Sequence, residues 1–311
     1  MPISVSEAFT QLKSNLELTP TLQESISGHH NAVRGWIESA GSNIETKLVG
    51  SLQRQTRIQP KPKQDILDVD ILVILGNFYN WVSSGGVTPS DAMLKVTNIV
   101  SQNETYKEMG PETDSPAVVM EYADNIKVEL IPAYIDNVGQ SPNGISTQPV
   151  GRGYWVPKNN TWVIADYDYD ADYISGSNQR CNGYLIPTIK MLKAIKRNYF
   201  PDMKSYHLEA LSTGVLPSVI LNWLGQRKEI SYPVLIYSFF FIAKDKILLP
   251  QSIPGSKTVS ADAYMALAQK QQLIVTFSKI SDYCKYALEK SDSEAMVLWK
   301  KLFGDSFPAG G

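Results

Sequence analysis

Gly50-Ser51, then Asp68-Val69-Asp70 opening the apolar run Ile71-Leu72-Val73-Ile74-Leu75, are the residues around which this 311-residue chain organises itself. A strand places alternate side chains on one face, so Asp68 and Asp70 point the same way, about 7 Å apart along the strand. Two carboxylates beside a buried strand are costly unless a metal ion or a partner compensates their charge. Their spacing suits oxygen ligands sharing a pair of Mg²⁺ ions, which clamp the attacking and leaving oxygens of an in-line displacement. The Gly-Ser turn upstream supplies the other requirement of phosphoryl transfer. Glycine has no side chain to block close approach, so backbone N–H groups and the Ser51 hydroxyl can meet a triphosphate.

A two-metal site usually draws a third carboxylate from a neighbouring strand. In Ile126-Lys127-Val128-Glu129-Leu130-Ile131-Pro132, Lys127 and Glu129 fall on one face and Ile126, Val128 and Leu130 on the other. Ala117 to Tyr122 reads as a second strand, with Ala123-Asp124-Asn125 as the turn of a β-hairpin between them. Glu129 thus becomes the candidate third metal ligand and catalytic carboxylate beside Asp68 and Asp70.

These residues resemble the signature of the DNA polymerase β-like nucleotidyltransferase superfamily, a Gly-Ser followed by Asp-x-Asp and a later acidic residue. The closer resemblance is to the bacterial cGAS/DncV-like nucleotidyltransferases. Leu48 to Ile58, Asp68 to Val73 and Val128 to Ala133 are similar to three motifs of that family. Glu129 stands where aspartate is commonest. In the second half, Arg180-Cys181-Asn182-Gly183-Tyr184, the segment through Lys190 and Lys193, and Ser205-Tyr206-His207-Leu208-Glu209 resemble the family's helical domain, and Leu302 to Pro308 resembles the tail of some members.

The resemblance implies an α+β fold: a two-lobed polymerase β-like nucleotidyltransferase with a mixed catalytic sheet, a long N-terminal spine helix and a C-terminal helical domain. It implies a template-independent enzyme that joins ribonucleoside triphosphates into a cyclic di- or trinucleotide second messenger, releasing pyrophosphate. Two Mg²⁺ ions, replaceable by Mn²⁺, would be the cofactors. The product would be read by a separate effector in anti-phage (CBASS) signalling. Gly50, Ser51, Arg54, Lys193, Ser205 and Tyr206 are the implied nucleotide-binding residues, with Lys193 reaching the triphosphate from the helical lobe. Tyr134, Tyr184 and Tyr206 are candidate base-stacking rings. Some systems of this family carry an accessory conjugating enzyme, for which the C-terminal Gly310-Gly311 would be a substrate. Two other readings stay open: a nucleotidyltransferase that modifies a separate acceptor, and a non-catalytic nucleotide sensor.

Bulk properties agree with a globular protein. The chain is 43% hydrophobic and 19% charged with a formal net charge of −2, so no global basic field attracts long nucleic acid. Two cysteines, Cys181 and Cys284, are too few for a disulfide framework, and the N-terminus lacks signal-peptide character, so a cytoplasmic location is expected. The apolar segment Val234 to Ala243 is about half a transmembrane length and reads as a buried helix.

A helix is predicted from about Pro20 to Ser39, with Thr21 and Glu24 at capping-box separation, running as a spine behind both halves. His29 and His30 within it do not share a face and read as surface or hinge residues. A polar loop from Ile135 to Arg152 precedes a hairpin turning at Lys158-Asn159-Asn160. Asp166 to Asp172 imitates a calcium loop, but Ala171 and Ser177 replace the required Gly and Glu, so the segment reads as an exposed acidic linker. Helices are expected from Ser177 onward, over about 207–224, 233–245, 260–289 and 292–303. The expected domains are 1–174, catalytic, and 175–311, helical and ending in a flexible tail.

Overall fold

The computed structural model describes residues 3–41, 43–61, 65–114, 116–136, 153–158, 160–251 and 260–309. The chain opens with α1 (Val5–Asn15) and α2 (Pro20–Ser39), then β1 (Glu45–Leu48), the short α3 (Gly50–Gln53) and β2 (Leu67–Asn77). After a π-helical turn at Tyr79–Ser83 come α4 (Pro89–Ser101), α5 (Glu104–Glu108), β3 (Glu112–Asp114), β4 (Ala117–Glu121) and β5 (Ile126–Ile135). The strands β6 (Tyr154–Lys158) and β7 (Thr161–Ala165) complete a mixed sheet of order β1-β2-β5-β4-β3, with β6 joining β5 and β7. Only β2 and β5 pair in parallel among the described strands; α4, α5, β3 and β4 provide the crossover such a pair requires.

The apolar run of β2 is continuous because both sides of the strand are covered. Val69, Ile71, Val73 and Leu75 pack with Ile26, Val33 and Ile37 of α2 and with Ala92, Val96 and Val100 of α4. Leu72 and Ile74 pack on the other face with Ile131, Ala133, Tyr154 and Val156. Asp68 and Asp70 share the parity of Leu72 and Ile74, so they lie on that second face where its apolar cover ends.

The remaining helices form the second lobe: α6 (Tyr167–Arg180), α7 (Leu185–Tyr199), α8 (Ser205–Gly225), α9 (Tyr232–Lys246), α10 (Leu267–Leu288) and α11 (Asp292–Phe303). Their core contains Leu185, Ile189, Leu192, Leu208, Phe239, Phe240 and Phe277. The apolar segment Val234 to Ala243 lies in α9, which buries Leu235, Ile236, Phe239, Phe240 and Ala243 but leaves Phe241 exposed, and no helix among the described residues is long and apolar enough to cross a membrane.

Several sequence expectations are corrected. Helix α1, assigned to the catalytic domain, packs into the helical core: Phe9 lies edge-on to Trp299, Phe303 and Phe307 at 5.1, 5.7 and 5.3 Å. Phe307 is therefore fully buried rather than part of a loose tail, a burial that contributes about 1.5–3 kcal/mol. Gly310 and Gly311 lie outside the described residues. The expected boundary at residue 174 falls inside α6. Helix α2 has the predicted span, but it packs on β1, β2, β5 and α4 rather than behind both lobes. Thr19, not Thr21, caps it, accepting the Leu22 N–H with Pro20 in the first turn, where a missing N–H is harmless. The long C-terminal helix starts at Leu267 instead of residue 260. His29 meets Asp124 at 3.0 Å at the β4–β5 turn. Ile135, expected to open the polar loop, instead ends β5, while residues 137–152 and Asn159 lie outside those described.

Candidate active site

Strand register builds the acidic site. In the parallel β2–β5 ladder Asp70 stands opposite Glu129 and Asp68 opposite Lys127. The β4–β5 hairpin has the predicted form, with Asn125 at φ 63° in its turn. One sheet face thus presents Asp68, Asp70, Lys127 and Glu129 together. Lys127 Nζ sits 3.1 Å from Asp68 Oδ1 and 2.6 Å from Glu129 Oε1, and Arg57 Nη1 lies 3.4 Å from Asp68 Oδ2. Burial pushes the Asp70 carboxyl up to about 7, and the charges of Glu129 and Asp68 add to the rise. Burial works against the Lys127 ammonium, but its contacts with Glu129 and Asp68 outweigh that and raise its pKa.

Gly50 fits against this site so closely that any side chain there would have to displace the Asp70 carboxylate. Its φ is +73°, and a Cβ there would lie 1.9 Å from Asp70 Oδ2 and 2.7 Å from Asp70 Cγ. The backbone is held alongside by the Val49 N–H, which donates to the Asp70 carbonyl at 2.9 Å. Gly50 and Ser51 open α3, whose loop closes where Thr56 and Arg57 N–H groups donate to the Ser51 carbonyl at 2.9 and 3.2 Å. The Gly-Ser turn and the Asp-x-Asp strand are therefore in contact, as the motif order implied.

Among the described residues no group of three His, Cys, Asp or Glu converges on a common metal position. Asp68 and Glu129 instead share the Lys127 ammonium, so two of the three carboxylates already converge on a cation. The donor chemistry of Asp68, Asp70 and Glu129, three carboxylates on one sheet face, is all-oxygen and multiply anionic, the kind a hard cation such as Mg²⁺ takes.

Sequence reasoning missed a second acidic cluster. Asp166 to Asp172 is not an exposed linker: Asp166 caps α6 by accepting the Tyr169 N–H at 2.9 Å, and Asp168 and Asp170 in the first turn have partners on other elements. Asp168 pairs with Lys47 of β1 and accepts from Gln53 Nε2 at 2.9 Å and Tyr154 Oη at 3.2 Å. Asp170 is buried and accepts from Tyr206 Oη at 2.7 Å. Tyr167 is half-buried near Asp70; desolvation first, then the Asp70 charge, raises its phenol. Asp166 three residues before Tyr169, at the head of a run without Gly or Pro, was a helix-start signal that the calcium-loop comparison obscured.

The helical-lobe candidates divide. Arg54 Nε donates to Glu209 Oε2 at 2.7 Å, Lys193 Nζ lies 2.6 Å from Glu209 Oε1, and Lys193 also donates to the Thr56 carbonyl at 2.9 Å. All four residues are buried. The cationic heads of Arg54 and Lys193, expected at the nucleotide, are thus held inward by Glu209, a residue the sequence did not single out as a site. Burial lowers Lys193 to about 8, while Arg54 and Lys193 overcome the burial of Glu209 and hold it near 2. Tyr206 lies face-on to the Arg54 guanidinium at 4.9 Å. Ser205 is exposed at the first turn of α8. Of the other candidate stacking rings, Tyr134 is core beside Trp162 and Tyr184 packs on Tyr232.

Residues 3–148 match the Second Messenger Oligonucleotide or Dinucleotide Synthetase domain. The cyclic AMP-AMP-AMP synthase of an Acinetobacter species is 21% identical over 326 residues, covering 98% of this chain and 86% of that protein. Escherichia coli CdnC with ATP superposes at a TM-score of 0.70 with 11% identity, covering 99% of each chain. The Vibrio cholerae cyclic AMP-GMP synthase DncV superposes at 0.64 with 13% identity, covering 98% of this chain and 87% of that one. Residues 3–148 thus carry a second-messenger synthetase domain, and with a relative aligned over nearly the full chain and the same two-lobed fold, the chain is similar throughout to the bacterial cGAS/DncV-like nucleotidyltransferases.

Proposed function

We propose that this protein joins ribonucleoside triphosphates into a cyclic di- or trinucleotide second messenger, releasing pyrophosphate. Enzymes of the cGAS/DncV-like family are metal-dependent nucleotidyltransferases that make cyclic oligonucleotides. The observation that carries the reading is the union of three motifs in one place: Gly50 pressed against Asp70, with Asp70 opposite Glu129. In each step a ribose hydroxyl oxygen bonds to the α-phosphorus of a triphosphate. The bond from that phosphorus to the β-phosphate oxygen breaks, pyrophosphate leaves, and the hydroxyl proton is released.

Asp68, Asp70 and Glu129 would hold two Mg²⁺ ions, or Mn²⁺ in their place, which supply charge neutralisation at the attacking hydroxyl and the leaving pyrophosphate. The uncovered backbone at Gly50 and the Ser51 hydroxyl receive phosphate oxygens, as the open approach there allows. Arg54 and Lys193 act by holding the loop after that turn against α7 and α8 through Glu209. Ser205, exposed at the start of α8, is left to face the nucleotide from the helical lobe. In this reading the product activates a separate effector in anti-phage defence.

The test is incubation with all four ribonucleoside triphosphates and Mg²⁺ or Mn²⁺, phosphatase treatment, and mass spectrometry, with Asp68→Asn/Asp70→Asn as control. A phosphatase-resistant nucleotide that disappears in the double variant supports the reading. Nucleotide transfer only when a second acceptor is added would replace cyclisation by acceptor modification, and nucleotide binding without any turnover would make the chain a sensor.

A further inference from the structure

Lys127 stands among the carboxylates as an ammonium carried by the chain itself. It faces Asp68 across the β2–β5 ladder and lies two residues from Glu129 on the same face of β5. Its head reaches both carboxylates, at 3.1 and 2.6 Å, while the side chain stays about one-fifth exposed. Arg57 adds a longer contact to Asp68 from the loop that follows the Gly-Ser turn. Three carboxylates gathered without a cation would repel one another, and in a partly buried site that repulsion is weakly screened. Lys127 relieves it through one oxygen of each of two carboxylates that would hold a metal. An ammonium and a divalent ion cannot both rest against the same two carboxylate oxygens.

We propose that Lys127 is a tethered competitor for the metal, holding Asp68 and Glu129 in the metal-free protein and having to leave them before a divalent ion can bind. The proposal rests on the assignment of Asp68, Asp70 and Glu129 as metal ligands. It makes metal uptake harder than the three carboxylates alone would allow, and it makes the empty site more stable. A neutral side chain at 127 reverses both effects. A divalent ion binds more tightly because nothing has to be displaced, and the metal-free protein loses the charge that offset its carboxylates.

The experiment measures uptake of Mn²⁺ alone, without nucleotide, by the loss of the free-ion electron paramagnetic resonance signal. Wild type, Lys127→Gln, Lys127→Arg and Asp68→Asn/Asp70→Asn are compared, with melting followed in parallel. Lys127→Gln should bind Mn²⁺ at least about tenfold more tightly, about 1.4 kcal/mol, and should melt below wild type without metal. Lys127→Arg, which keeps the charge, should stay near wild type. Equal or weaker Mn²⁺ binding by Lys127→Gln than by wild type overturns the proposal while leaving the metal site intact. Equal uptake by wild type and Asp68→Asn/Asp70→Asn overturns the ligand assignment and the proposal with it.

A second measurement needs only wild type, should Lys127→Gln fail to fold. Acylation of Lys127 by an N-hydroxysuccinimide ester, read by peptide mass spectrometry, should rise several-fold when Mn²⁺ is added. Unchanged labelling at saturating Mn²⁺ would show that the ammonium had not moved, and would also overturn the proposal.

Discussion

Glu209→Gln removes the one carboxylate that two buried cations share. Glu209 is 1% exposed, Arg54 approaches one oxygen at 2.7 Å and Lys193 the other at 2.6 Å. The amide has nearly the same shape, so packing is kept and the charge alone is lost. Breaking a buried ion pair by removing one partner costs about 3–5 kcal/mol, because an uncompensated charge stays behind. Here two stay behind, although Lys193 can shed its proton, since burial already lowers it to about 8. At roughly 2 °C per kcal/mol for a chain of this size, melting should fall by about 6–10 °C. Part of the loss should return in Glu209→Gln/Lys193→Met, where one orphaned cation is removed as well. Calorimetry or circular dichroism at pH 7 measures both variants. Arg54 and Thr56 lie on the loop that closes on Ser51, so Glu209→Gln should also lower kcat at temperatures where it remains folded. A Glu209→Gln protein that melts within about 2 °C of wild type would refute the reasoning.

Gly50→Ala should be far more damaging to catalysis than to folding. The positive φ costs about 1–2 kcal/mol, but the new Cβ also drives the Asp70 carboxylate from its place, and a displacement of about 1 Å costs on the order of 10²-fold in rate. Product formation by mass spectrometry and a thermal melt separate the two effects. His207 supplies a pH dependence: burial holds it at about 4, against the pull of Asp262 and with Lys270 adding to the depression. Its unfolded form, near 6.5, binds protons more readily, so stability is full above 6.5 and falls as pH drops from 6.5 toward 4. His207→Gln should flatten that slope by about 1–2 kcal/mol, measured by urea unfolding at pH 4.5 and 6.5.

The acidic site was legible in the sequence because its geometry is local or nearly so. Alternation along β2 sets Asp68 and Asp70 on one face, and the turn at Asp124-Asn125 brings β4 back along β5, so Glu129 follows from the same pattern. Gly50 was legible as a close-approach residue, though not which group approaches it. The helices α2 and α11 were found with their observed bounds because their apolar residues recur at helical spacing between strong end signals. The segment Asp166 to Asp172 was misread because composition alone cannot separate an acidic loop from a helix start whose carboxylates have partners far along the chain. Lys47, Tyr154 and Tyr206 are those partners.

By itself, then, the sequence determined the strand that carries two carboxylates, the hairpin that carries the third, the Gly-Ser turn, the helical character of the second half and the family they resemble. Each follows from backbone periodicity or from spacing within a short stretch. Tertiary structure alone decided that α1 belongs to the helical core and that Phe307 is anchored beneath it. It also decided that Arg54 and Lys193 face Glu209 instead of open solvent, and that Lys127 occupies the space between Asp68 and Glu129. These are contacts between segments up to 298 residues apart, as with Phe9 and Phe307. Charge and apolar surface can meet in many ways at such separations, and only the packed chain selects one of them.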